Sequence, residues 1–349
     1  MKRVKIRISS VEITHTISKL FRVIGVKKNI YKPVVDGLVE TSLRGVDSHG
    51  IRLAPHYIRA TLVGRINPKP KIKFKKTSPT TIIVDADHTY GITSGVIAMN
   101  KAIQMASRSG VGISVVKNSS HFGAAGIFGL MAAKKNMIGR AMTPVEDLVF
   151  PYGGKEAFLG TNAYCYAAPM QGEDPFILDM ATTTISFNKL RMHQRDGRPL
   201  ENGWAVDKNG EYTTDPNKAV ALTHFGSYKG YGVALEPEIF ASLLAGMPFG
   251  PYITHMFPLT EKKRNLSHFF EAIDIKRFVP VAIFKKRLKQ MVDELRAIPP
   301  AEGFDRVRVP GDPEKELYAI RIKKGIPLTR EVVEDFRNVA KEIGVKINL

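Results

Sequence analysis

The chain has 349 residues, 44% of them hydrophobic, and its 52 Lys and Arg outnumber its 33 Asp and Glu, giving a net charge of +19. The single cysteine, Cys165, excludes an intrachain disulfide. No apolar run approaches the ~20 residues that a membrane-spanning helix needs, and the basic start MKRVKIRISS lacks the apolar stretch of a signal peptide. We therefore expect a cytoplasmic protein with one large domain or two ordinary ones.

The net charge leaves two classes of partner open. A strong positive charge favours polyanions such as nucleic acids. Here the basic residues are spread along the chain in short runs such as KPKIKFKK, EKKRN and KKRLK, whereas nucleic-acid-binding modules usually concentrate them, with interleaved aromatics, in one module. A solvated basic surface is the favoured interpretation. A basic nucleic-acid-binding protein without catalysis is the alternative.

The first third of the chain predicts helices. Ser9 and Glu12 have the spacing of a capping box in front of an apolar helical pattern. A second helix is predicted to end at Gly45, and a third covers residues 50–64. The proline-rich basic stretch 66–79 is interpreted as a linker.

Beyond the linker, short apolar strands alternate with helices, which predicts α/β layers. Strands are predicted over residues 80–85, 112–116, 137–143, 164–169, 175–180 and 268–274. Helices are predicted over residues 94–109, 123–135, 182–194, 232–246, 281–296 and 329–343. The last helices are expected to fold back onto the first ones, which would make a discontinuous helical domain from both termini.

The common nucleotide and metal motifs are missing from the sequence. It contains neither the phosphate-binding loop G-x-x-x-x-G-K-[ST] nor a strand followed by G-x-G-x-x-G. The histidines are scattered, with no H-E-x-x-H and no Cys/His pair. We therefore predict neither a Rossmann nucleotide site nor a metal site.

Two histidines lie in polar turns. His121, in NSSHFGAAG, follows a predicted strand and precedes a predicted helix, where open α/β sheets tend to bind ligands; the alternative is a helix cap formed by Ser119 or Ser120. The turn DSHGIR holds Ser48, His49 and Arg52. A histidine and an arginine there suit protonation of a substrate oxygen and binding of a carboxylate, and a helix cap with a surface arginine is the alternative.

Three further turns are candidate anion sites. LDMATTT (178–184) ends a strand and opens a predicted helix, whose first amides would bind an anion or phosphate. GSYKGYG (226–232) offers Lys229 just before another helix, and VPGDPEKE (309–316) forms a similar turn. Ordinary solvated loops are the alternative for each of them.

Taken in order, these turns resemble the malate/L-lactate dehydrogenase family of the second type, which also includes sulfolactate, ureidoglycolate and diketogulonate oxidoreductases. The resemblance covers nearly the whole chain. It rests on the segments RGVDSHG, NSSHFGAAG, PYGGKEAFLGTN, FILDMATT, GWAVDKNGEYTTDP, YKGYGVAL, LAGMPFG and HFFEAID.

The resemblance implies an NAD(P)-dependent oxidoreductase that transfers a hydride between the nicotinamide and C2 of a small 2-hydroxy or 2-keto acid. It also implies a non-Rossmann fold and a homodimer. The corresponding expectation is an NAD(P)-binding α/β domain over residues 79–230. Residues 1–78 and 231–349 would form a discontinuous helical domain for dimerisation and substrate binding. A family member that has lost activity and serves as a binding module is a further alternative.

The resemblance also implies roles for individual residues. His49, His121 and Ser48 would be catalytic, and Arg52, Thr161 and Asn162 would bind substrate. The expected cofactor site comprises His121, Leu178, Asp179, Met180, Ala181, Thr182, Tyr228, Lys229, Gly311, Asp312 and Pro313. The sequence departs from the family pattern at four places, one of which is the short segment THFGS before YKGYG. Leu53 stands where members commonly carry an arginine, with Arg52 one residue earlier; Pro144 replaces the common Asn after Thr143; and Ala163 ends the turn GTNA.

Overall fold

The computed structural model describes residues 6–349, and its N-terminal part is helical, as predicted. The helices are α1 (Ser10–Val23), α2 (Lys28–Leu43) and α3 (Ala54–Leu62), the last preceded by a 3-10 turn, Ile51–Leu53. The Ser9 hydroxyl accepts a hydrogen bond from the Glu12 backbone N–H (3.1 Å), which confirms the predicted cap. Gly45, just beyond α2, has φ +86°, and a Cβ there would lie 2.3 Å from Leu317 Cδ1, so a glycine is needed at this stop.

A mixed seven-stranded sheet forms the centre of the molecule. Its strands are β2 (Lys73–Lys76), β3 (Thr81–Asp85), β4 (Val111–Ser119), β5 (Met137–Thr143), β6 (Ala163–Ala168), β7 (Phe176–Ala181) and β10 (Leu266–Asp274), in the order β2-β3-β4-β10-β5-β6-β7. Of the described neighbours in this sheet, β3 and β4 run parallel, and every other pair is antiparallel. A doubly wound Rossmann sheet is mostly parallel, so the predicted non-Rossmann α/β fold is confirmed.

Two sequence expectations about this sheet are wrong. The predicted linker 66–79 contains the edge strand β2, which pairs with β3 from Lys73 opposite Asp85 to Lys76 opposite Ile82. The expected assignment of 231–349 to the helical domain fails for β10, which lies between β4 and β5. The chain therefore returns to the centre of the sheet late in the sequence, after β5, β6 and β7 have formed its other half.

Helices cover the sheet and extend beyond it. They are α4 (Gly91–Ser109), α5 (Gly126–Ala133), α6 (Phe187–Asp196), α7 (Tyr228–Pro237), α8 (Val281–Ala297), α9 (Asp312–Lys324) and α10 (Arg330–Glu342). A π-helical turn, Glu238–Leu243, continues α7. Helix α4 packs so tightly on the sheet that a Cβ at Gly112 would lie 2.1 Å from the Ala102 carbonyl oxygen. The sequence did not predict α9, which was interpreted as a turn.

The two ends of the chain meet in the structure. Strand β1 (Ile6–Ile8) pairs antiparallel with β11 (Ile326–Leu328). Elsewhere in the chain, β8 (Ala205–Val206) and β9 (Ala221–Leu222) form a second two-stranded antiparallel sheet. On α10, Val333, Phe336 and Val339 are buried in the same core as the first three helices. Within the described residues, no helix is both long and apolar enough to cross a bilayer.

Candidate active site

Two neighbouring cavities lie where the N-terminal helices meet the sheet. The first has a volume of about 540 Å³, and its wall includes Ser48, His49, Arg52, His121 and Arg264. The second has a volume of about 350 Å³. Both are lined by Val46, Ala124 and Asp179, so one extended ligand can occupy both.

The two histidines singled out in the sequence face each other in the first cavity. The ring centroids of His49 and His121 lie 5.6 Å apart, with 24° between the planes. His49 is held by the tight turn after α2, where a Cβ at Gly50 would lie 2.0 Å from Ser42 Oγ. His121 follows β4 and packs against the start of α4. The alternative interpretation of this turn, a helix cap by Ser119 or Ser120, is wrong, because α5 begins at Gly126 without a side-chain cap.

Hydrogen bonds fix the orientation of each imidazole. The Tyr57 hydroxyl lies 2.7 Å from His121 Nδ1, and the Gly123 backbone N–H also points at that atom (3.4 Å). Burial raises the pKa of Tyr57, so Tyr57 keeps its proton and donates it. His121 Nδ1 is then an acceptor and the ring proton sits on Nε2. His49 Nδ1 lies 2.8 Å from Ser48 Oγ, a partner that can either donate or accept.

Both imidazoles are neutral near pH 7. Burial lowers the pKa of His49, and the charge of Arg52 lowers it further. Burial and the neighbouring His49 lower the pKa of His121 well below its usual value. A buried neutral imidazole can accept a proton from a hydroxyl when the reaction generates one.

A buried ion pair forms another part of the cavity wall. Arg264 is 4% exposed and Glu146 is 5% exposed. Arg264 Nη2 donates to Glu146 Oε2 over 2.6 Å, while Glu146 Oε1 accepts from the Met256 backbone N–H (2.8 Å). Burial lowers the pKa of Arg264 and Glu146 opposes this shift. Arg52 also lines the cavity, but its side chain is exposed at the mouth.

Asp179 lies at the junction of the two cavities. Its Oδ2 accepts a hydrogen bond from the Gly126 backbone N–H over 2.8 Å, at the start of α5. Burial raises the pKa of Asp179 to about 6, and the charge of Glu314 adds to that effect. A Cβ at Gly126 would lie 2.7 Å from Asp179 Oδ2, and one at Gly311 (φ +93°) would lie 2.7 Å from Ile177 Cγ2. Both glycines therefore keep the second cavity compact.

Comparison with known proteins identifies the family. The model of the malate/L-lactate dehydrogenase family matches residues 8–337. The chain is 35% identical to malate dehydrogenase from Pyrococcus abyssi, over 98% of this chain and 96% of that protein. It is 36% identical to L-sulfolactate dehydrogenase from Methanocaldococcus jannaschii, over 93% of each. The chain belongs to the malate/L-lactate dehydrogenase family.

The fold agrees with this membership. The structure of malate dehydrogenase from Pyrococcus horikoshii superposes with a TM-score of 0.90 at 34% identity, covering 99% of this chain and 97% of that one. Relatives in the malate/L-lactate dehydrogenase family are named as dehydrogenases of 2-hydroxy acids. This chain is accordingly an oxidoreductase of that kind, acting on a CH–OH group.

Several residues expected from the family resemblance line the two cavities. Ser48, His49, Arg52, His121, Thr161, Asp179, Met180 and Ala181 line the first one. Leu178, Asp179, Gly311 and Pro313 line the second. The apolar walls, the compact glycine turns and the polar groups between them fit a dinucleotide, the cofactor class expected for the family.

Other expected residues do not line either cavity. Asn162 is fully buried; its Oδ1 accepts from the Val145 N–H (2.9 Å) and its Nδ2 donates to Ala234 O and Glu238 Oε1 (both 2.8 Å). Asn162 therefore supports the wall behind Val145 instead of facing substrate.

Four expected cofactor residues also lie outside the linings. The backbone N–H of Thr182 donates to Thr161 O, and Asp312 accepts from Arg296 Nε (3.1 Å). Tyr228 is exposed, and Lys229 Nζ lies 5.9 Å from its ring centroid. The predicted anion cradle of helix amides at residues 182–184 is wrong, because α6 begins only at Phe187. The roles of Tyr228 and Lys229 stay predictions.

The sequence interpretation missed Arg264, Glu146 and Tyr57. Arg264 lies in the run EKKRN, which was assigned to a solvated basic surface, yet it is almost completely buried. Glu146 and Tyr57 lie outside the turns that were singled out. The apolar pattern of the predicted helix over residues 50–64 marks Tyr57 as a core residue, and nothing in the sequence indicates its contact with His121.

Proposed function

We propose that this chain is an NAD(P)-dependent dehydrogenase of a small 2-hydroxy acid and that His49 exchanges the proton of the substrate hydroxyl. The observation that carries the proposal is the pair of neutral imidazoles, His49 and His121, facing a cavity that also contains the buried cation Arg264. The nicotinamide, when bound, supplies or accepts the hydride at substrate C2. The side chains of the protein supply the proton transfer and the orientation.

His49 is the better proton acceptor of the two histidines. Its Nδ1–H can donate to Ser48 Oγ, which leaves the Nε2 lone pair directed at the cavity. His121 carries its proton on Nε2, because Tyr57 and Gly123 both donate toward Nδ1. His121 is therefore suited to donating a hydrogen bond to the same substrate oxygen. Ser48 acts by holding the His49 tautomer.

The two arginines are suited to the anionic groups of the substrate. Arg264 provides a buried, preorganised charge, and Glu146 and the Met256 backbone hold it in place. Arg52 provides a second charge three residues after His49. A carboxylate bound to Arg264 would orient C2 toward the histidines. Two cations favour a substrate with a second anionic group, of the malate or sulfolactate kind, over lactate.

The dinucleotide would extend across both cavities. Its nicotinamide belongs in the first one, beside His121, because the histidines lie there. Leu178, Asp179, Gly311 and Pro313 would bind the remainder, because they line the second cavity. Lys229 and Tyr228 line neither cavity, and their part in cofactor binding stays a prediction.

A homodimer in the cytoplasm completes the proposal. The π-helical turn exposes Ile239 (49%) and Leu243 (55%), and Leu244 just after it is 56% exposed; exposed apolar side chains so close together in sequence are typical of a contact surface. An isologous contact through this turn would bury them. The free, buried Cys165 suits a reducing compartment, in which the nicotinamide cofactors are also available.

A panel of 2-hydroxy acids tests the proposal. Malate, sulfolactate, lactate and ureidoglycolate are each supplied with NAD and with NADP, and reduced cofactor is followed by its absorbance. We expect at least one of the dianionic acids to be oxidised faster than lactate. If none of the acids reduces either cofactor while the protein is folded, the proposed reaction is wrong.

A further inference from the structure

The charged groups that line the second cavity bear on the choice between NAD and NADP. Its charged lining groups are Arg44, Arg308, Asp179 and Glu314. A positive cavity would attract the 2′-phosphate that distinguishes NADP from NAD, and a negative one would repel it. Whether this cavity attracts or repels the phosphate depends on which of its charged groups are already paired.

Both arginines are already neutralised. Arg44 Nε donates to Glu40 Oε1 and its Nη2 donates to Asp174 Oδ2, each over 2.9 Å. Arg308 forms a two-pronged pair with Asp305, over 2.7 and 2.9 Å. Each guanidinium is thus balanced in charge before a ligand binds, although the buried Arg44 keeps one nitrogen, Nη1, without a hydrogen-bond partner.

The two carboxylates, by contrast, have no cationic partner. Asp179 accepts one hydrogen bond, from the Gly126 backbone N–H. Glu314, in the first turn of α9, forms no ion pair with any described residue. The two groups are close enough that the charge of Glu314 contributes to raising the pKa of Asp179. The second cavity therefore carries a net negative charge on the groups that are free to meet a ligand.

We propose that Glu314, with Asp179 beside it, makes this chain select NAD over NADP. The inference rests on the proposed function, since it assumes that the adenosine half of the cofactor occupies the second cavity. The Glu314 carboxylate accepts hydrogen bonds from the free 2′- and 3′-hydroxyls of the adenosine ribose. A 2′-phosphate at the same place would meet Glu314 and Asp179 with like charge, and its desolvation would remain uncompensated.

The walls of the second cavity support this placement. Ile127, Ile177, Val309 and Pro310 give it an apolar surface that suits an adenine ring. Pro313 and Glu314 lie two and three residues after Gly311, and the turn at Gly311 lies against Ile177. The carboxylates thus stand next to the apolar surface, as a ribose bonded to the adenine requires.

Direct binding measurements test the inference without turnover. The dissociation constants of NADH and NADPH are measured by nicotinamide fluorescence for the wild type and for Glu314→Gln. We expect the wild type to bind NADH at least about tenfold more tightly than NADPH. In Glu314→Gln, we expect this ratio to fall to within about threefold, mainly through tighter NADPH binding.

Glu316→Gln is the matched control. Glu316 lies two residues further along α9, pairs with Arg306 and lines neither cavity. Its substitution should leave the ratio unchanged. Thermal unfolding of each variant shows that the protein is folded, and the wild-type ratio tests the inference even if Glu314→Gln does not fold.

Two results would overturn the inference, and a third would overturn the proposed dehydrogenase function on which it rests. Tighter wild-type binding of NADPH, lost in Arg308→Ala, would show that Arg308 releases Asp305 to bind a 2′-phosphate. An unchanged ratio in folded Glu314→Gln would remove Glu314 from the selection. Binding of neither dinucleotide would contradict the dehydrogenase itself, an outcome distinct from the other two.

Discussion

The Tyr57 hydroxyl lies 2.7 Å from Nδ1 of His121 and is itself fully buried between α3 and the cavity. This contact sets the tautomer of His121, which lines the first cavity, and leaves its ring proton on Nε2. The Gly123 N–H alone, at 3.4 Å, is a weak substitute. Tyr57 is therefore a positioning residue, which acts through His121.

Tyr57→Phe should lower turnover more than it lowers stability. We expect kcat to fall about 10- to 100-fold, since a general acid–base site loses its orientation, while the free energy of unfolding falls by about 1 kcal/mol. Steady-state kinetics and thermal unfolding measure the two effects. Tyr31→Phe is the control, because Tyr31 is buried against Phe21 and lines neither cavity. Equal loss of activity in both variants would contradict the role of Tyr57.

His49→Ala should nearly abolish turnover and leave cofactor binding intact. Removal of a general acid–base group typically costs about 100- to 10,000-fold in rate, and His49 lies at the substrate end of the site, away from the second cavity. Turnover and NADH fluorescence titration are measured on the same preparation. Near-normal turnover in the folded variant would exclude His49 from proton transfer.

Substitutions in the Arg264–Glu146 pair can separate the effect of the Arg264 charge on substrate binding from its effect on folding stability. Arg264→Leu should lower the free energy of unfolding by about 3–5 kcal/mol, because it leaves Glu146 buried without its partner. The double variant Arg264→Leu/Glu146→Leu should recover most of that stability, yet its KM for the hydroxy acid should stay raised. A double variant with wild-type KM would show that the substrate carboxylate binds elsewhere.

The buried His268 predicts a pH dependence of stability. Burial lowers the pKa of His268 to about 3, against 6.5 in an unfolded chain, so below pH 6.5 the unfolded state binds more protons than the folded state. Stability should therefore fall as pH drops from 6.5 toward 3, by up to about 1.4 kcal/mol per pH unit from this residue. Denaturant unfolding across this range measures the slope.

His268→Gln provides the comparison for that slope. The histidine bonds Thr143 Oγ1 through Nδ1 and Ser119 Oγ through Nε2, both over 2.8 Å, and glutamine can offer a donor and an acceptor without titrating. A shallower slope between pH 6.5 and 4 is the expected result. An unchanged slope would assign the acid sensitivity to other groups.

The exposed π-helical turn predicts a dimer contact. Leu244→Glu should weaken association at least about a hundredfold and yield monomers at micromolar concentration. Val11→Glu serves as the control, because Val11 is also an exposed apolar residue but lies on α1. Sedimentation distinguishes the outcomes. A wild type that is monomeric at these concentrations would contradict the proposed homodimer.

The sequence predicted much of the fold because most elements carry a clear pattern. Strand β5 has its predicted bounds, and the Ser9 cap and Gly45 stop are where the pattern placed them. Strand β2 was missed because all four of its residues are exposed, so it shows no alternation. Helix α9 was missed because Ile320 and Ile322 are exposed. Pro313 in its first turn was a usable signal for its start.

The site was only partly predictable for a different reason. His49 and His121 stand in polar turns between apolar elements, which is a local signal. The burial and the contacts of Arg264 and Asn162 arise only when segments distant in sequence pack together. Arg264 meets Glu146 across 118 positions of sequence, and no local pattern distinguishes it from the surface lysines beside it.

The central claim is that the protein removes a hydride from C2 of a 2-hydroxy acid. The most direct measurement uses the best acid of the panel with deuterium at C2 and determines the mass of the reduced nicotinamide product. We expect a product one mass unit heavier than with the unlabelled acid, and almost none of it from His49→Ala. Reduced cofactor without the label would exclude hydride transfer from C2, and undiminished label transfer in His49→Ala would exclude His49 from the reaction.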